Sequence, residues 1–414
     1  MANPAGAEER VVVVGAGQAG GWVAASLREH GHRGAVTLIG DEAYPPYERP
    51  PLSKEFLLGP MPAEQVAIKA ASFYAGAGID LWLGRKVTRL DRHRRVLSLH
   101  GGGEIRYDRL VLTTGARPRR LSVPGGTSER VLYLRGIADA ERLRAVLADG
   151  RRLIVVGGGL IGMEVAAAAA RRGLEVTVLE QAARLMERVL PAMVGDHLAD
   201  VHAAHGVRLL LGARIHRIET GPRGVHVHLG DGDVVTAGHV VAGIGAVPND
   251  ELAAAAGIAV ADGVLVDEFG ATSDPRVYAA GDVARFHHPP LGHGIRLESW
   301  HNAQNQAIAV GRGLAGDRRP YEEVPWSWSD QYDVNVQVAG AVRGWPDPVC
   351  RRDPAGRGFT VVALRDGVPV AAATVDRPRE MRPARALIAR GRPVDRAALA
   401  DPAVPLAALV RSGS

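Results

Sequence analysis

The chain has 414 residues, 46% hydrophobic and 23% charged. These are ordinary globular values that exclude a disordered or fibrous polymer and allow two or three domains. Its formal charge of +5 and pI near 9.6 are modestly basic, but the arginines are dispersed and no block of five or six basic residues occurs, which points away from nucleic acid and towards an acidic protein partner. Cys350 is the only cysteine, so an internal disulfide, a CxxC redox pair and a multi-cysteine metal site are excluded and no metal is expected; the residue reads as a small buried apolar group. The opening MANPAGAEER carries no basic segment followed by an apolar run, and apolar stretches such as residues 153–163 are interrupted by glycine. A cytoplasmic protein without signal peptide or membrane span is therefore expected.

The first element is the strongest. Residues 11–41 read VVVVGAGQAGGWVAASLREHGHRGAVTLIGD: four valines form a strand buried on both faces, and Gly15-x-Gly17-x-x-Gly20 turns the backbone into an alanine-rich helix. Gly15 suits the tight turn, Gly17 lets the backbone approach a pyrophosphate, and Gly20 lets helix and strand pack closely, with the helix N-terminus facing the phosphates. A second strand, residues 35–39, ends near Asp41, an acceptor for a ribose hydroxyl. Strand, turn, helix, strand and acid in order predict a dinucleotide site.

Residues 42–59 follow, with four prolines among residues 45–51 predicting a rigid extended segment, and Ser53 as the cap of a short helix. Lys54 then stands at a helix start, where the dipole offers a cation nothing, and by local pattern it is a solvated surface lysine. Residues 80–99 read as alternating strands around Val87, and residues 110–118, LVLTTGARP, as a buried strand entering a Gly-Pro turn.

The fingerprint recurs at residues 152–180: Gly157-x-Gly159-x-x-Gly162 after an apolar strand, an alanine helix, a second strand and Glu180, 23 positions after Gly157, close to the ~20 expected of a ribose-binding acid. Two such units predict two bound dinucleotides. A helix over 192–205, a strand over 224–229 and the hairpin signal Asp231-Gly232 follow. VVAGIGAVPN at 240–249 mirrors LVLTTGARP, and the two are read as crossings that insert the second unit into the first. In TSDPRVYAAGDVA, 272–284, Asp282 stands at the end of a strand, where an acid points into a ligand crevice or caps a helix. From about residue 323 the pattern becomes α+β: strands with glycine turns, a closing helix near 379–390, and Trp326 and Trp328 on one side of a strand, as core or as surface.

The succession GAGQAG, YERPPLSK, TTGARPR, GGGLIGMEVAA, GIGAVPN, TSDPRVYAAGD, RLESWHNAQNQA and PWSWSDQYD resembles the FAD-dependent NADH:ferredoxin reductases of bacterial oxygenase systems, the family of the putidaredoxin reductase and biphenyl dioxygenase ferredoxin reductase type. The likeness spans essentially the whole chain, and YERPPLSK and WSDQYD are more specific than the glycine boxes. It implies an α/β protein with two Rossmann-like dinucleotide-binding domains, the NAD domain (117–243) inserted in the FAD domain (1–116 and 244–322), and a C-terminal α+β domain (323–414). It implies FAD on Gly15, Gly17, Ala19, Gly20, Asp41, Lys54, Val87, Arg135, Asp282 and Trp300, and NADH on Gly157, Gly159, Leu160, Ile161, Gly162 and Glu180. It implies an ion pair of Lys54 with Glu164 beside the flavin, making Lys54 an active-site residue, and places Trp300 against the flavin on the side of the iron–sulfur partner. NADH would reduce FAD by hydride transfer, and single electrons would pass to a [2Fe–2S] ferredoxin supplying a cytochrome P450 or Rieske-type oxygenase. Trp22, where the family has a small or polar residue, and His301, where glutamine is commoner, are departures. A disulfide reductase requires a redox cysteine near the flavin, for which Cys350 is not placed. Rubredoxin reduction, NADH oxidase or peroxidase activity and a mainly binding role remain open at this point.

Overall fold

In a computed structural model, residues 9–288, 292–340, 344–354, 356 and 358–411 are described. Most of the N-terminal stretch read above as lacking a signal peptide, residues 1–8, lies outside them. The strand Val11–Val14 is buried along its length because the two faces of its sheet are both covered: Val12 and Val14 enter one apolar cluster and Val11 and Val13 another, as the period of two requires. Five parallel strands run in the order Val277–Ala279, Arg109–Leu112, Val11–Val14, Val36–Ile39, Ile79–Trp82. The helix Gln18–Glu29 packs closely on the helix Trp300–Leu314. A Cβ on Gly311 would stand 2.8 Å from the Val23 carbonyl oxygen, and Ser26 Oγ donates to the Ile308 carbonyl at 2.9 Å, so small residues are what let the two backbones approach.

A second five-stranded parallel sheet repeats the pattern: Arg208–Leu211, Glu175–Glu180, Arg152–Val156, His239–Ala242, Val131–Leu132. The predicted strand over 224–229 is observed as Gly224–Leu229, and Asp231-Gly232 turns it into Val234–Ala237. The two crossings are short strands, Ala116–Pro118 and Ala246–Pro248, paired with one another. The C-terminal region forms an antiparallel five-stranded sheet, Trp326–Gln331, Val334–Gly340, Val368–Val375, Phe359–Arg365, Pro348–Arg352, and the helix Pro378–Arg390 packs its Met381, Ala384, Leu387 and Ile388 into the same core. That helix does not close the chain, since Arg396–Ala400 and Leu406–Arg411 follow and bury Leu399 and Leu406 in that core.

The chain divides into two compact units. The first comprises Met1–Arg49, Pro62–Arg117 and Val247–Glu323, and the second Pro50–Met61, Pro118–Ala246 and Val324–Ser414. The proline-rich segment is thus not extended throughout: it turns into a 3-10 helix at Pro50–Ser53 and an α-turn at Glu55–Leu58. This strap belongs to the second unit, where it buries Leu52, Phe56 and Leu57. Arg172 Nη1 donates to the Leu57 and Leu58 carbonyls at 3.0 and 3.2 Å, and Arg144 reaches the Gly59 carbonyl at 3.3 Å with its guanidinium 4.7 Å from the Phe56 ring centroid. Among the described residues no helix is long and apolar enough to cross a membrane.

Candidate functional site

In the first unit, backbone packing explains the glycines. Gly15 has φ +112°, and a Cβ there would lie 2.2 Å from the Thr113 carbonyl oxygen; one on Gly20 would lie 1.9 Å from the Gly15 oxygen. A Cβ on Gly17 would meet only Arg49 Nη2, at 3.8 Å. Gly15 and Gly20 are therefore required by the fold, whereas Gly17 faces open space of the kind a pyrophosphate needs. The helix beginning at Gln18 has no side-chain cap and no acid in its first turn, which leaves its N–H groups and positive dipole end for an anion. Ala19 lies against Gly281, where a Cβ would be 2.8 Å from the Ala19 methyl, and Asp282 follows in the 3-10 turn Gly281–Val283. Asp41 is exposed, two positions beyond the strand Val36–Ile39.

Arg49 was missed in the sequence, although YERPP contains it. It pairs with Glu42 at 2.8 Å and Tyr47 at 3.1 Å. Burial works against its charge, but Tyr47, Glu42 and Asp282 outweigh it and raise its pKa, so a firmly cationic group stands beside the open glycine. Trp300 opens its helix behind the cap Ser299, whose Oγ accepts from Asn302 N at 3.2 Å. With the Gln18 amide oxygen turned towards the indoles, it accepts from Trp300 Nε1 at 3.1 Å and from Trp22 Nε1 at 3.2 Å. That links both tryptophans to the glycine box and gives the unusual Trp22 a polar partner. Burial raises the pKa of Glu48, partly offset by its hydrogen bond to Trp300. His301 bonds Asn305 Nδ2 at 3.1 Å. Val87 begins the strand Val87–Asp91 and packs on that sheet's core.

The second unit repeats the cradle. Gly157 has φ +103° and a Cβ there would lie 2.4 Å from the Gly243 oxygen; one on Gly162 would lie 2.1 Å from the Gly157 oxygen; Gly159 has nothing within 4 Å. The helix Leu160–Arg171 again starts without a side-chain cap or first-turn acid, with Leu160 half-buried and Ile161 exposed. Glu180, at the end of its strand, accepts from the Gly158 N–H and from the Ala182 N–H at 2.6 Å. Its carboxylate is thereby fixed against the loop with lone pairs left for a ribose. Arg184 lies 3.4 Å from Asp196. Both cradles fit dinucleotides.

The same helix carries Glu164, whose Oε2 lies 2.9 Å from Lys54 Nζ, with the side chains 5% and 11% exposed. The surface-lysine reading of Lys54 is thus overturned: tertiary packing of the strap, invisible in local pattern, buries it. Ser53 does not cap the short helix. Its hydroxyl is turned to Glu164 Oε2 and the Pro50 carbonyl, a competition open to any serine, and Lys54 occupies the N-cap position with no side-chain capping bond. Glu164 Oε1 accepts from Ser329 Oγ at 2.6 Å. Ser329 itself accepts from Gln331 Nε2 at 3.0 Å, and His202 Nε2 meets Gln331 Oε1 at 2.9 Å. None of these three was singled out from the sequence.

Of the residues assigned to FAD, Gly15, Gly17, Ala19, Gly20, Asp41, Val87, Asp282 and Trp300 lie in the first unit, and Lys54 and Arg135 in the second. The Arg135 N–H donates to Asp139 Oδ2 at 3.0 Å, at the start of the helix Ile137–Asp149. Every residue assigned to NADH lies in the second unit. Cys350 is half-buried rather than buried, with Met193 Sδ 3.4 Å from its thiol; burial raises its pKa, against the pull of Arg352. Trp326 and Trp328 share one face of their strand and stack at 5.4 Å, and only Trp326 joins the apolar core.

Residues 9–307 match the family model for pyridine nucleotide-disulphide oxidoreductases, and residues 326–410 match that for the reductase C-terminal domain. The chain belongs to this oxidoreductase family. Among the oxidoreductases it resembles are rhodocoxin reductase of Rhodococcus erythropolis, 39% identical over 94% of this chain and 92% of the relative, and the ferredoxin–NAD(+) reductase component of the anthranilate 1,2-dioxygenase system of Burkholderia cepacia, 41% identical over 95% and 98%. Among solved structures, that of the covalent putidaredoxin reductase–putidaredoxin complex superposes with a TM-score of 0.94 at 39% identity, covering 98% of this chain and 99% of that one. These likenesses bear out the resemblance read from the motifs and the α/β architecture it implied.

Proposed function

We propose that this protein is an FAD-dependent reductase that passes electrons from NADH to an acidic [2Fe–2S] ferredoxin, which in turn supplies a cytochrome P450 or Rieske-type oxygenase, and that it works in the cytoplasm. The observation that carries the reading is the pair of complete dinucleotide cradles in a chain whose single cysteine sits half-buried against Met193. Two dinucleotides without a thiol pair suit electron transfer and leave disulfide exchange without its nucleophile. Residues 1–116 and 244–322 form the FAD domain, 117–243 the NAD domain and 323–414 the C-terminal domain of this reading.

Bound FAD supplies the conversion between two-electron hydride acceptance and one-electron release. The chain's own residues do the rest. Gly15, Gly17, Ala19 and Gly20 seat the FAD pyrophosphate, with Asp41 on the ribose, Val87, Arg135 and Asp282 along the cofactor, and Arg49 as an added cation. Gly157, Gly159, Leu160, Ile161 and Gly162 seat NADH, with Glu180 on its ribose. Lys54, held by Glu164, presents a positive charge to the reducing end of the flavin and favours negative charge developing there. Trp300 borders the edge where electrons leave.

The test compares NADH-driven turnover with a [2Fe–2S] ferredoxin, rubredoxin, oxygen and a disulfide. Ferredoxin is expected to be fastest, and its reduction to slow as salt rises because the charges that steer association are screened over ~8 Å at physiological ionic strength. Trp300→Ala is expected to impair ferredoxin reduction more than ferricyanide reduction. Faster turnover with rubredoxin, oxygen or the disulfide would overturn the acceptor assignment, and equal losses with ferredoxin and ferricyanide would make Trp300 a packing residue.

A further inference from the structure

Glu164 is the only buried acid among the described residues, and its surroundings extend well beyond the lysine it pairs with. Ser329, Gln331 and His202 are each no more than 1% exposed and lie in a line of hydrogen bonds that ends on its carboxylate. The direction of that line is determined. An amide nitrogen has no lone pair to offer, so Ser329 Oγ must accept from Gln331 Nε2, and the one hydroxyl hydrogen is left for Glu164 Oε1. The Gln331 carbonyl oxygen accepts in turn, which requires the His202 proton on Nε2. Nδ1 is then an acceptor, and the Tyr332 hydroxyl is 3.3 Å from it.

Tyr332 is itself conspicuous. It occupies the first position of the two-residue turn between Trp326–Gln331 and Val334–Gly340 with φ +58°, a place that hairpins give to glycine or asparagine because other side chains are strained there. Its ring stacks on His205 with centroids 3.7 Å apart. Strain of this kind persists where surrounding contacts over-determine it, and here the contacts hold the hydroxyl to His202. Burial lowers the His202 pKa to about 4, with Gln331 opposing and His205 adding to the shift, so the imidazole is neutral and can act as both donor and acceptor. A buried polar line costs stability that well-packed aliphatic side chains would not, and its outlet is the carboxylate that holds Lys54.

We propose that Ser329, Gln331 and His202 are positioning residues: a one-way hydrogen-bond line, anchored by Tyr332, that locks the Glu164 carboxylate and through it the direction of Lys54 for hydride transfer. This rests on the assignment of Lys54 and Glu164 to the reducing end of the flavin. Glu164 then has three donors, Lys54 Nζ, Ser53 Oγ and Ser329 Oγ. Removing the last frees the carboxylate to rotate without removing the charge pair.

The experiment uses the FAD-loaded protein in four variants, Ser329→Ala, Gln331→Leu, Ser329→Thr and Lys54→Met, with Tyr332→Phe as a milder change at the far end. In stopped-flow mixing with NADH, Ser329→Ala and Gln331→Leu are expected to lower the limiting rate of flavin reduction about tenfold, the equivalent of ~1.4 kcal/mol, while the apparent Kd for NADH stays within about twofold. Ser329→Thr, which keeps the hydroxyl, restores the rate. Independently of turnover, nitrogen NMR of the histidines at pH 7 is expected to show His202 neutral with its proton on Nε2, and Gln331→Leu and Tyr332→Phe to shift that tautomer balance. An Nδ1 proton or a charged imidazole in the parent protein would overturn the direction of the line. Unchanged limiting rates in folded Ser329→Ala and Gln331→Leu, with Lys54→Met slow, would overturn the positioning role alone. Unchanged rates in Ser329→Ala, Gln331→Leu and Lys54→Met alike would overturn the assignment of Lys54 on which it rests.

Discussion

Replacing Lys54 by methionine separates the two roles of its ion pair. At 2.9 Å and an effective dielectric constant near 20, the attraction between Lys54 and Glu164 is ~6 kcal/mol. The net loss is smaller, because methionine need not be dehydrated and because Ser53 and Ser329 still donate to the carboxylate. Breaking a buried pair from one side costs ~3–5 kcal/mol, and the surviving hydroxyls place this case at about 3 kcal/mol. For a unit of this size the melting midpoint should fall by ~6–12 °C, measured by circular dichroism on the FAD-loaded protein. Lys69→Met serves as the control: Lys69 only overlies the Trp22 and Phe73 rings, at 5.2 and 5.1 Å, and should cost about 1 kcal/mol or less. The double variant Lys54→Met/Glu164→Gln removes the stranded charge and should recover to within ~1 kcal/mol of the parent. Its flavin reduction should stay as slow as in Lys54→Met, since the cation is still missing. A double variant no more stable than the single one would refute the uncompensated-charge argument, as would a Lys54→Met protein as stable as Lys69→Met.

Other expected outcomes follow from the cradles and from His202. Glu180→Ala should narrow the preference for NADH over NADPH, read as the ratio of kcat/KM values; Arg184→Ala should leave the parent's preference intact, since that guanidinium is turned to Asp196, and equal efficiency of the parent with both nucleotides would sink the role of Glu180. Gly159→Ala should leave the melting midpoint nearly unchanged, because nothing lies within 4 Å of the new methyl, yet weaken NADH binding in a titration; Gly162→Ala should lower the midpoint itself, its methyl falling 2.1 Å from the Gly157 oxygen. His202, with a folded-state pKa of about 4 against ~6.5 when unfolded, takes up its proton more readily in the unfolded chain. Stability should therefore fall as pH drops from about 6.5 to 4, by up to ~3 kcal/mol from this group. His202→Gln should flatten that part of the urea-denaturation profile.

Both cradles were legible because each is local: strand, glycines, helix and acid follow within some thirty residues, and steric demands of the backbone determine where glycine must stand. The strands Ala116–Pro118 and Ala246–Pro248 were legible as apolar runs leading to a glycine and a proline, but not their pairing, which joins distant parts of the sequence. Lys54 was not legible from its own neighbourhood. Its partner lies on another segment, and only the likeness to known reductases suggested the pair. Ser53 illustrates the limit further: a serine before a short helix has a local cap available, and the choice between that and a distant carboxylate is made by packing. Ser329 and Gln331 sit in a strand whose alternation says only that they share a face, and His202 lies on a helix, Ala192–Ala204, whose pattern is that of any amphipathic helix. Arg49 was hidden among prolines that drew attention to backbone stiffness alone.

The strap has a consequence for how the protein is made. Ser53 precedes Glu164 by 111 positions and Glu164 precedes Ser329 by 165, so at about 5–20 residues per second the ribosome delivers the helix that covers the strap on the order of ten seconds after the strap itself, and the strand carrying Ser329 later still. Through that interval the strap lacks the helix that carries Glu164, and Lys54 lacks the counter-charge it has in the folded chain. The first Rossmann sheet likewise waits for its strand Val277–Ala279. The surroundings of Glu164 are thus completed only after about four-fifths of the chain has been made, when the strand carrying Ser329 has left the ribosome.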